Sequence, residues 1–284
     1  MLDLTKPSVI KDLMQTFDTN FSKGLGQNFL INPAVLDSIA EAAECDGEGV
    51  IEVGPGIGVL TAQLAQRAKK VVSVEIDSRL IDILNHTLAD FDNVKIVNDD
   101  ILKLNLPKLI QDEFDASLPV SVAANLPYYI TTPILTMLLE SGIPFKNIVI
   151  MVQKEVGMRI CASPGGKDYG ALTVLCKFYA EPEIVTHVPA GNFMPAPKVD
   201  SVVVKLKMRK ESPVLLNDTK LFFTVVKAAF AQRRKTLENC LANFPGLNLS
   251  KQDAHNLLLK AGIEPGIRGE RLSINEFAAI ANLI

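Results

Sequence analysis

The sequence is poor in the residues that build metal sites and disulfide frameworks. It contains no tryptophan, four cysteines and three histidines. No two cysteines stand at a CxxC spacing, and the histidines are scattered along the chain. Because zinc sites need ligands clustered at short spacings, we expect no metal site. Scattered cysteines instead fit reduced thiols in a cytosolic protein.

Long apolar runs are also missing. The cleanest runs, such as residues 148–152, are only a handful of residues long, whereas a membrane span needs about 20. The first residues include the acidic Asp3 and no long apolar core, unlike a secretory signal. We therefore expect a soluble, cytoplasmic protein without a membrane partner. Its 284 residues, 48% of them hydrophobic, suffice for one large domain and one small domain.

The net charge of −3 is small, but the charges are unevenly distributed. The segment 198–240 carries ten Lys or Arg and four Asp or Glu, while the remainder carries 19 and 28. A basic segment on an acidic body can steer a polyanion to one face. The same pattern also fits a solvated helix face, so this count alone leaves nucleic-acid binding open.

Hydrophobic periodicity predicts strands that alternate with helices in the first part of the chain. The predicted strands are residues 50–53, 71–75, 94–98, 120–124 and 147–152. Two further β-rich runs, 174–188 and 199–208, are expected to extend the same sheet. Strands alternating with helices indicate a mainly parallel sheet covered on both faces. The predicted fold class is therefore α/β, with a Rossmann-like sheet in a domain over residues 1–208.

The pattern changes after Pro213. Helical periodicity is predicted for residues 220–241, 251–261 and 274–283, and Ser273 with Glu276 forms a capping-box pattern. We therefore predict a small, all-helical domain over residues 209–284.

A glycine loop follows the first predicted strand. Glycines stand at positions 54, 56 and 58, whereas a dinucleotide fingerprint counted from Gly54 would need its third glycine at Val59. The acidic Glu52 stands two residues before Gly54. This E-x-G-x-G-x-G form resembles the first motif of Rossmann-like S-adenosylmethionine methyltransferases.

Carboxylates end the next two predicted strands. Glu75 could accept hydrogen bonds from both hydroxyls of a ribose, as an acidic residue does in dinucleotide sites. A carboxylate of Asp99 or Asp100 could accept from an adenine amino group. Each could equally be a surface acid, but together with the glycine loop they predict an adenosyl cofactor.

The segment Asn125-Leu126-Pro127-Tyr128 follows the fourth predicted strand. It could simply begin a helix, with Asn125 as its cap. Its chemistry also suits methyl transfer to an adenine amino group, whose lone pair is delocalised into the ring. The Asn125 side-chain oxygen and the Leu126 carbonyl could accept the two amino hydrogens, and Pro127 would stiffen the loop. Tyr128 could stack on the purine.

A second aromatic residue stands in a proline-rich loop. Pro195 and Pro197 hold this loop extended, and Phe193 could form the other wall of a base pocket. The alternative is a phenylalanine that is simply buried.

Taken together, the motifs resemble the ribosomal RNA adenine dimethyltransferase family. The resemblance covers nearly the whole chain and rests on ordered segments at 26–30 (GQNFL), 52–56 (EVGPG), 74–77 (VEID), 98–100 (NDD), 125–133 (NLPYYITTP), 193–199 (FMPAPKV), 230–237 (FAQRRKTL) and 271–273 (RLS).

The resemblance implies S-adenosylmethionine as the cofactor and two adjacent adenosines near the 3′ end of small-subunit ribosomal RNA as targets, each methylated twice. Together with the glycine loop, it assigns to the cofactor the residues Asn28, Leu30, Gly54, Gly56, Glu75, Asp100 and Asn125. It assigns to the adenine Asn125, Leu126, Pro127, Tyr128 and Phe193. It places Arg233, Arg234 and Lys235, within a helix, on the RNA-facing side. The implied partner is an assembling small ribosomal subunit, and we expect a monomer.

Three alternatives remain at this point. A related branch methylates an adenine of large-subunit RNA, although Thr131-Thr132-Pro133 and the 232–235 segment are more similar to the small-subunit branch. A dinucleotide oxidoreductase would share the sheet and a glycine loop. A non-enzymatic assembly factor would keep only the fold and the RNA-binding surface.

Overall fold

The computed structural model of the protein describes residues 2–21 and 26–284. The chain divides into two compact units. The first comprises Met1–Gly157 and Glu181–Met208, and the second comprises Met158–Ala180 and Arg209–Ile284.

The first unit is built from alternating strands and helices. In chain order they are α1 (Pro7–Thr16), β1 (Phe29–Leu30), α2 (Pro33–Ala43), β2 (Gly49–Val53), α3 (Val59–Ala65), β3 (Lys70–Glu75), α4 (Ile81–Thr87), β4 (Val94–Asn98), α5 (Leu106–Glu113), β5 (Val120–Asn125), α6 (Thr131–Glu140) and β6 (Asn147–Gln153), and, after the excursion into the second unit, β7 (Ala180–Val188), β8 (Phe193–Met194) and β9 (Ser201–Met208).

Seven of these strands form one sheet in the order β4-β3-β2-β5-β6-β9-β7. The five strands from β4 to β6 are parallel, and β9 pairs with β6 antiparallel. The mainly parallel α/β sheet expected from the sequence is therefore confirmed. The chain runs outward from β2 in one direction and then restarts at β5 on the other side. In parallel sheets, ligands bind outside the carboxyl ends of the strands at such a switch point.

Burial follows the sequence pattern of a sheet covered on both faces. Every residue of β2 is buried, and β3 and β6 each have only one residue that is not fully buried. Helix α2 begins at Asn32, whose side chain accepts from the Ala34 N–H, with Pro33 in the first turn. The apolar face of α2, including Ile39 and Ala40, is completely buried.

The second unit is helical. Its helices are α7 (Lys154–Cys161), which begins in the first unit, α8 (Ala171–Tyr179), α9 (Thr219–Ala231), α10 (Leu237–Ala242), α11 (Lys251–Lys260) and α12 (Ile274–Ala281). Phe222 and Phe277 are fully buried in its core. The expected capping box is present at the start of α12, where Ser273 and Glu276 bond each other's backbone N–H groups.

Two expected elements differ in the structure. Residues 174–188 are not one β-rich run, because residues 171–179 form helix α8 before β7 begins. Val174 and Phe178 stand at helical spacing and pack in the helical core, and Leu175 is also buried, so tertiary packing outweighs their β propensity. Residues 158–180 consequently group with the helical unit, whereas the sequence suggested one boundary at 208/209.

The expected helix over 220–241 is interrupted between α9 and α10. Gln232 leaves the helical region at φ −135° and ψ 80°. The break allows Leu237 to be fully buried, with its N–H donating to the Ile267 carbonyl at 2.7 Å. Helices α1, α5 and α7 were not expected from the sequence. No helix within the described residues is both long and apolar enough to cross a membrane.

Candidate active site

The register of the central strands brings the glycine loop and the Asn125 loop together. In the parallel pair of β2 and β5, Val53 lies opposite Ala124. The next residues, Gly54 and Asn125, therefore leave the sheet side by side. The Asn125 carbonyl oxygen lies 4.0 Å from the point where a Cβ on Gly54 would stand. The two segments that the sequence singled out thus form adjacent walls at the switch point.

A cavity of about 1110 Å³, open to solvent, lies between these walls. Ten of the eleven predicted cofactor and base residues line it: Asn28, Leu30, Gly54, Gly56, Glu75, Asp100, Asn125, Leu126, Pro127 and Tyr128.

The charge of the lining favours a cationic ligand. Four acidic residues line the cavity: Glu52, which is buried, and Glu75, Asp99 and Asp100. Among the residues that the structure describes, no lysine, arginine or histidine lines it. A pyrophosphate would be repelled here, whereas a sulfonium or an ammonium group would be attracted. The lining therefore argues against a dinucleotide.

Glu75 ends β3 with its carboxylate buried at 5% exposure. It accepts hydrogen bonds from the Gly56 N–H at 3.1 Å and from the Asp77 N–H at 2.8 Å. Burial raises the pKa of this carboxyl group, although both backbone donors favour its charged form. Glu75 therefore connects the strand end to the glycine loop and lies beside any ligand that rests on that loop.

Glu52 is a buried acid for which the sequence indicated no partner. It is 1% exposed and accepts from the Thr61 hydroxyl at 2.6 Å and from the Ser73 hydroxyl at 2.8 Å. Burial raises its pKa to about 7, against the effect of the two hydroxyl donors. Hydroxyl residues at otherwise apolar positions of α3 and β3 were the only sequence signal for this cluster.

The segment 26–30 is bonded to both sides of the switch point. The Asn125 side-chain amide donates to the Asn28 carbonyl at 3.1 Å. The Gln27 side-chain amide donates to the Asp77 carboxylate at 2.8 Å. Asp77, which is buried and also bonds Arg79, belongs to the 74–77 motif, but the sequence assigned it no role. With its nitrogen committed to Asn28, the Asn125 amide has its oxygen left to accept from a ligand.

Gly56 is required by the conformation and packing of the protein itself. Its φ of +62° lies in the left-handed region that favours glycine. A Cβ at this position would stand 2.8 Å from Cε1 of Phe29. Phe29 in turn packs against Phe21, with ring centroids 5.5 Å apart. The segment around Phe29 therefore lies directly on the glycine loop.

Tyr128 is held by its hydroxyl group. That group lies 2.8 Å from the hydroxyl of Ser201, which is fully buried at the start of β9. Burial raises the pKa of the Tyr128 phenol, so the phenol remains neutral. The ring is half-buried at the cavity wall, while the adjacent Leu126 is 1% exposed. The hydrogen bond fixes the orientation of a ring that could stack on a base.

Phe193 is not brought to the cavity. It pairs with Leu30 in the two-stranded sheet of β1 and β8 and is 4% exposed. It lies in the apolar core of the first unit and is not among the described residues that line the cavity. The structure therefore does not place Phe193 among the described lining residues, and its role as a second wall of the base pocket stays a prediction.

The three predicted RNA-binding residues lie in the second unit. Arg233, Arg234 and Lys235 are exposed in the turn between α9 and α10, not in a helix as expected. One guanidinium nitrogen of Arg233 donates to the Lys167 carbonyl at 2.6 Å. Within the described part of the chain, no three His, Cys, Asp or Glu residues cluster as metal ligands.

Comparisons with known proteins identify the same class of enzyme that the cavity and its lining residues indicate. The family model described as "Ribosomal RNA adenine dimethylase" matches residues 18–284. The "Ribosomal RNA small subunit methyltransferase A" of Bacillus cytotoxicus is 50% identical over 289 positions, covering all of this chain and 98% of that protein.

Two solved structures share the fold. A dimethyladenosine transferase from Plasmodium falciparum matches with a TM-score of 0.73 and 30% identity, over 89% of this chain and 95% of its own. The 23S rRNA methyltransferase ErmE matches with a TM-score of 0.68 and 28% identity, over 90% of this chain and 99% of its own. The chain therefore belongs to the ribosomal RNA adenine dimethylase family of S-adenosylmethionine-dependent methyltransferases.

Proposed function

We propose that this protein dimethylates the exocyclic amino groups of two adjacent adenosines near the 3′ end of small-subunit ribosomal RNA. The observation that carries the proposal is the shared cavity. An acidic, glycine-walled pocket for an adenosyl cofactor and the Asn125–Tyr128 loop open into the same space. A methyl donor and an amino acceptor bound there would be in contact.

The lining fits S-adenosylmethionine. The Glu75 carboxylate would accept from the ribose hydroxyls, and Asp100 would accept from the adenine amino group. Asn28, Leu30, Gly54, Gly56 and Asn125 would surround the remainder. When bound, this cofactor supplies an electrophilic methyl group on a positively charged sulfur. The lining carboxylates of Glu75, Asp99 and Asp100 favour that charge, and no cation in the described lining opposes it.

The Asn125 loop would hold the target base. The Asn125 amide oxygen and the Leu126 carbonyl would accept the two amino hydrogens and favour a pyramidal nitrogen. The Tyr128 ring, oriented by Ser201, would stack on the purine. A base within a helix must first be extruded to reach this position. Catalysis would then come mainly from positioning.

The second unit would contribute phosphate contacts. Arg233, Arg234 and Lys235 are exposed, and such contacts position RNA without reading its sequence. We propose an assembling small ribosomal subunit as the substrate, a monomer as the working form and the cytoplasm as the location.

The large-subunit alternative has weaker support. The chain is 50% identical to a protein named as a small-subunit methyltransferase and 28% identical to a 23S rRNA methyltransferase. A non-enzymatic assembly role has no observation in its favour, because the lining residues for cofactor and base stand together in one cavity.

Methyl transfer from a labelled donor to unmethylated small subunits tests the proposal. We expect wild-type protein to modify two adjacent adenosines. We expect Asn125→Ala to lose turnover by much more than it loses cofactor affinity in a calorimetric titration. Asn256→Ala, at an exposed position of α11, is the matched control and should retain both. Modification of large-subunit RNA instead, or equal losses of turnover and affinity in Asn125→Ala, would contradict the proposal.

A further inference from the structure

Tyr129 differs from every other aromatic residue of the chain in its exposure. All 17 phenylalanines and tyrosines lie within the described residues, and 16 of them are buried or half-buried. Tyr129 is 61% exposed. Single exposed apolar residues are ordinary. The position of this ring, however, is not arbitrary, because Tyr129 lines the mouth of the candidate active site.

The Tyr129 ring has neighbours on the segment around Gly26, although most of the side chain is exposed. It packs beside Gly26, where a Cβ would lie 3.9 Å from Cδ1 and Cε1 of Tyr129 and 3.5 Å from Cβ of Pro127. Gly26 has a φ of +62°. Pro127 limits the flexibility of the backbone two residues before the ring. Tyr129 therefore lies beside Gly26 and Pro127 at the cavity, with most of its side chain exposed to solvent.

The two neighbouring tyrosines are arranged for different contacts. Tyr128 is half-buried and its hydroxyl is bonded to Ser201, so its ring belongs to the inside of the cavity. Tyr129 follows it directly in the chain but stands outside. The Tyr128 ring inside the cavity and the Tyr129 ring at its mouth could each stack on one base. Two such rings, adjacent in the chain, match two nucleotides that are adjacent in an RNA strand.

We propose that Tyr129 stacks on the nucleobase next to the adenine held in the pocket. This inference rests on the proposed function, in which the targets are adjacent adenosines. While one adenine is inside, its neighbour lies at the mouth and needs a surface to replace the stacking it lost. An aromatic ring binds any base by its π face. Tyr129 would therefore hold whichever adenosine is waiting outside.

Kinetics on unmethylated small subunits test the inference. Base stacking on an aromatic side chain corresponds to about a 5- to 150-fold effect on affinity. We expect Tyr129→Ala to raise the KM for subunits within that range and to leave the dissociation constant of S-adenosylmethionine unchanged. Tyr129→Phe keeps the ring and should behave like wild type. Leu215→Ala, which truncates a side chain that is 92% exposed, is the control for loss of surface apolar area.

A fluorescent base separates stacking from a structural effect. In an RNA carrying 2-aminopurine beside one target adenosine, the probe lacks the 6-amino group that the pocket would hold, so it should remain outside. We expect wild type and Tyr129→Phe to quench its fluorescence and Tyr129→Ala to quench it much less.

The outcomes are distinguishable. If wild type is active while Tyr129→Ala retains the wild-type KM and quenching, this inference alone is overturned. A loss of cofactor affinity in Tyr129→Ala that equals its loss of subunit affinity also overturns it. If wild type transfers no methyl groups, the proposed function fails and the inference fails with it.

Discussion

Replacing Gly56 by alanine tests whether the glycine loop is constrained by the protein itself. The new methyl group would stand 2.8 Å from Cε1 and 3.1 Å from Cδ1 of Phe29. Phe29 is 6% exposed and contacts the ring of Phe21, so it has little freedom to move away. Gly47→Ala is the matched control, because Gly47 has a φ of +68° and nothing lies within 4 Å of its Cβ position.

The expected loss in the free energy of unfolding follows from two separate effects. A left-handed backbone costs an alanine about 1–2 kcal/mol, and this cost is common to both variants. Overpacking against a fixed ring costs about 1–3 kcal/mol more, and only Gly56→Ala incurs it. We therefore expect Gly47→Ala to lose about 1–2 kcal/mol of the free energy of unfolding. Gly56→Ala should lose about 2–5 kcal/mol and should also bind S-adenosylmethionine more weakly, because the loop must shift.

Urea unfolding followed by far-UV circular dichroism measures the two costs, and it suits a chain that has no tryptophan. Adding Phe29→Leu should remove part of the cost of Gly56→Ala but none of the cost of Gly47→Ala, which a double-mutant cycle quantifies. Equal losses in the two glycine variants, or strict additivity with Phe29→Leu, would refute the packing between Phe29 and the loop.

Three further predictions concern the hydrogen bond between Tyr128 and Ser201, the buried carboxyl group of Glu52, and the exposed residues Arg233 and Arg234. Ser201→Ala and Tyr128→Phe each remove one 2.8 Å hydrogen bond, so each should lower kcat/KM by roughly 2- to 13-fold; the double variant should be no slower than the single ones, and additive losses would argue against ring positioning. Glu52 has a pKa raised to about 7, so its stabilising effect is complete below about 4.5 and is lost as the pH rises through about 7. The stability of wild type relative to Glu52→Gln should therefore fall by on the order of 3 kcal/mol between pH 4 and pH 8, and a pH-independent difference would contradict this. Charge reversal of Arg233 and Arg234 should weaken RNA binding and reduce its dependence on salt concentration by roughly one unit of slope for each lost phosphate contact, whereas unchanged binding at several salt concentrations would exclude these contacts.

Much of the fold and of the cavity could be predicted because the sequence patterns that specify them lie within a few consecutive residues. A buried parallel strand requires a continuous apolar run, and a glycine loop after it is visible in five residues. The sheet then places successive strand ends at one edge. For that reason Gly54, Glu75, Asp100 and Asn125 could be expected together, and all four line the cavity.

Other features were decided by contacts between distant parts of the chain. Residues 171–179 form a helix because Val174 and Phe178 pack in the helical core, although their composition also suits a strand. Phe193 lies in the apolar core of the first unit, where its backbone pairs with that of the distant Leu30. Neither partner could be identified from the neighbouring sequence.

Tyr128 and Tyr129 show, within a single motif, the difference between what the sequence predicts and what tertiary contacts determine. The amino-acid sequence by itself determined that two aromatic rings follow Pro127, and it predicted that an adenine could stack on Tyr128. Only the tertiary structure showed what holds that ring, because Ser201, which bonds the hydroxyl of Tyr128, lies 73 positions further along the chain. Local patterns specify backbone conformation over a few residues, whereas the direction of a side chain depends on partners that only the folded sheet brings within reach.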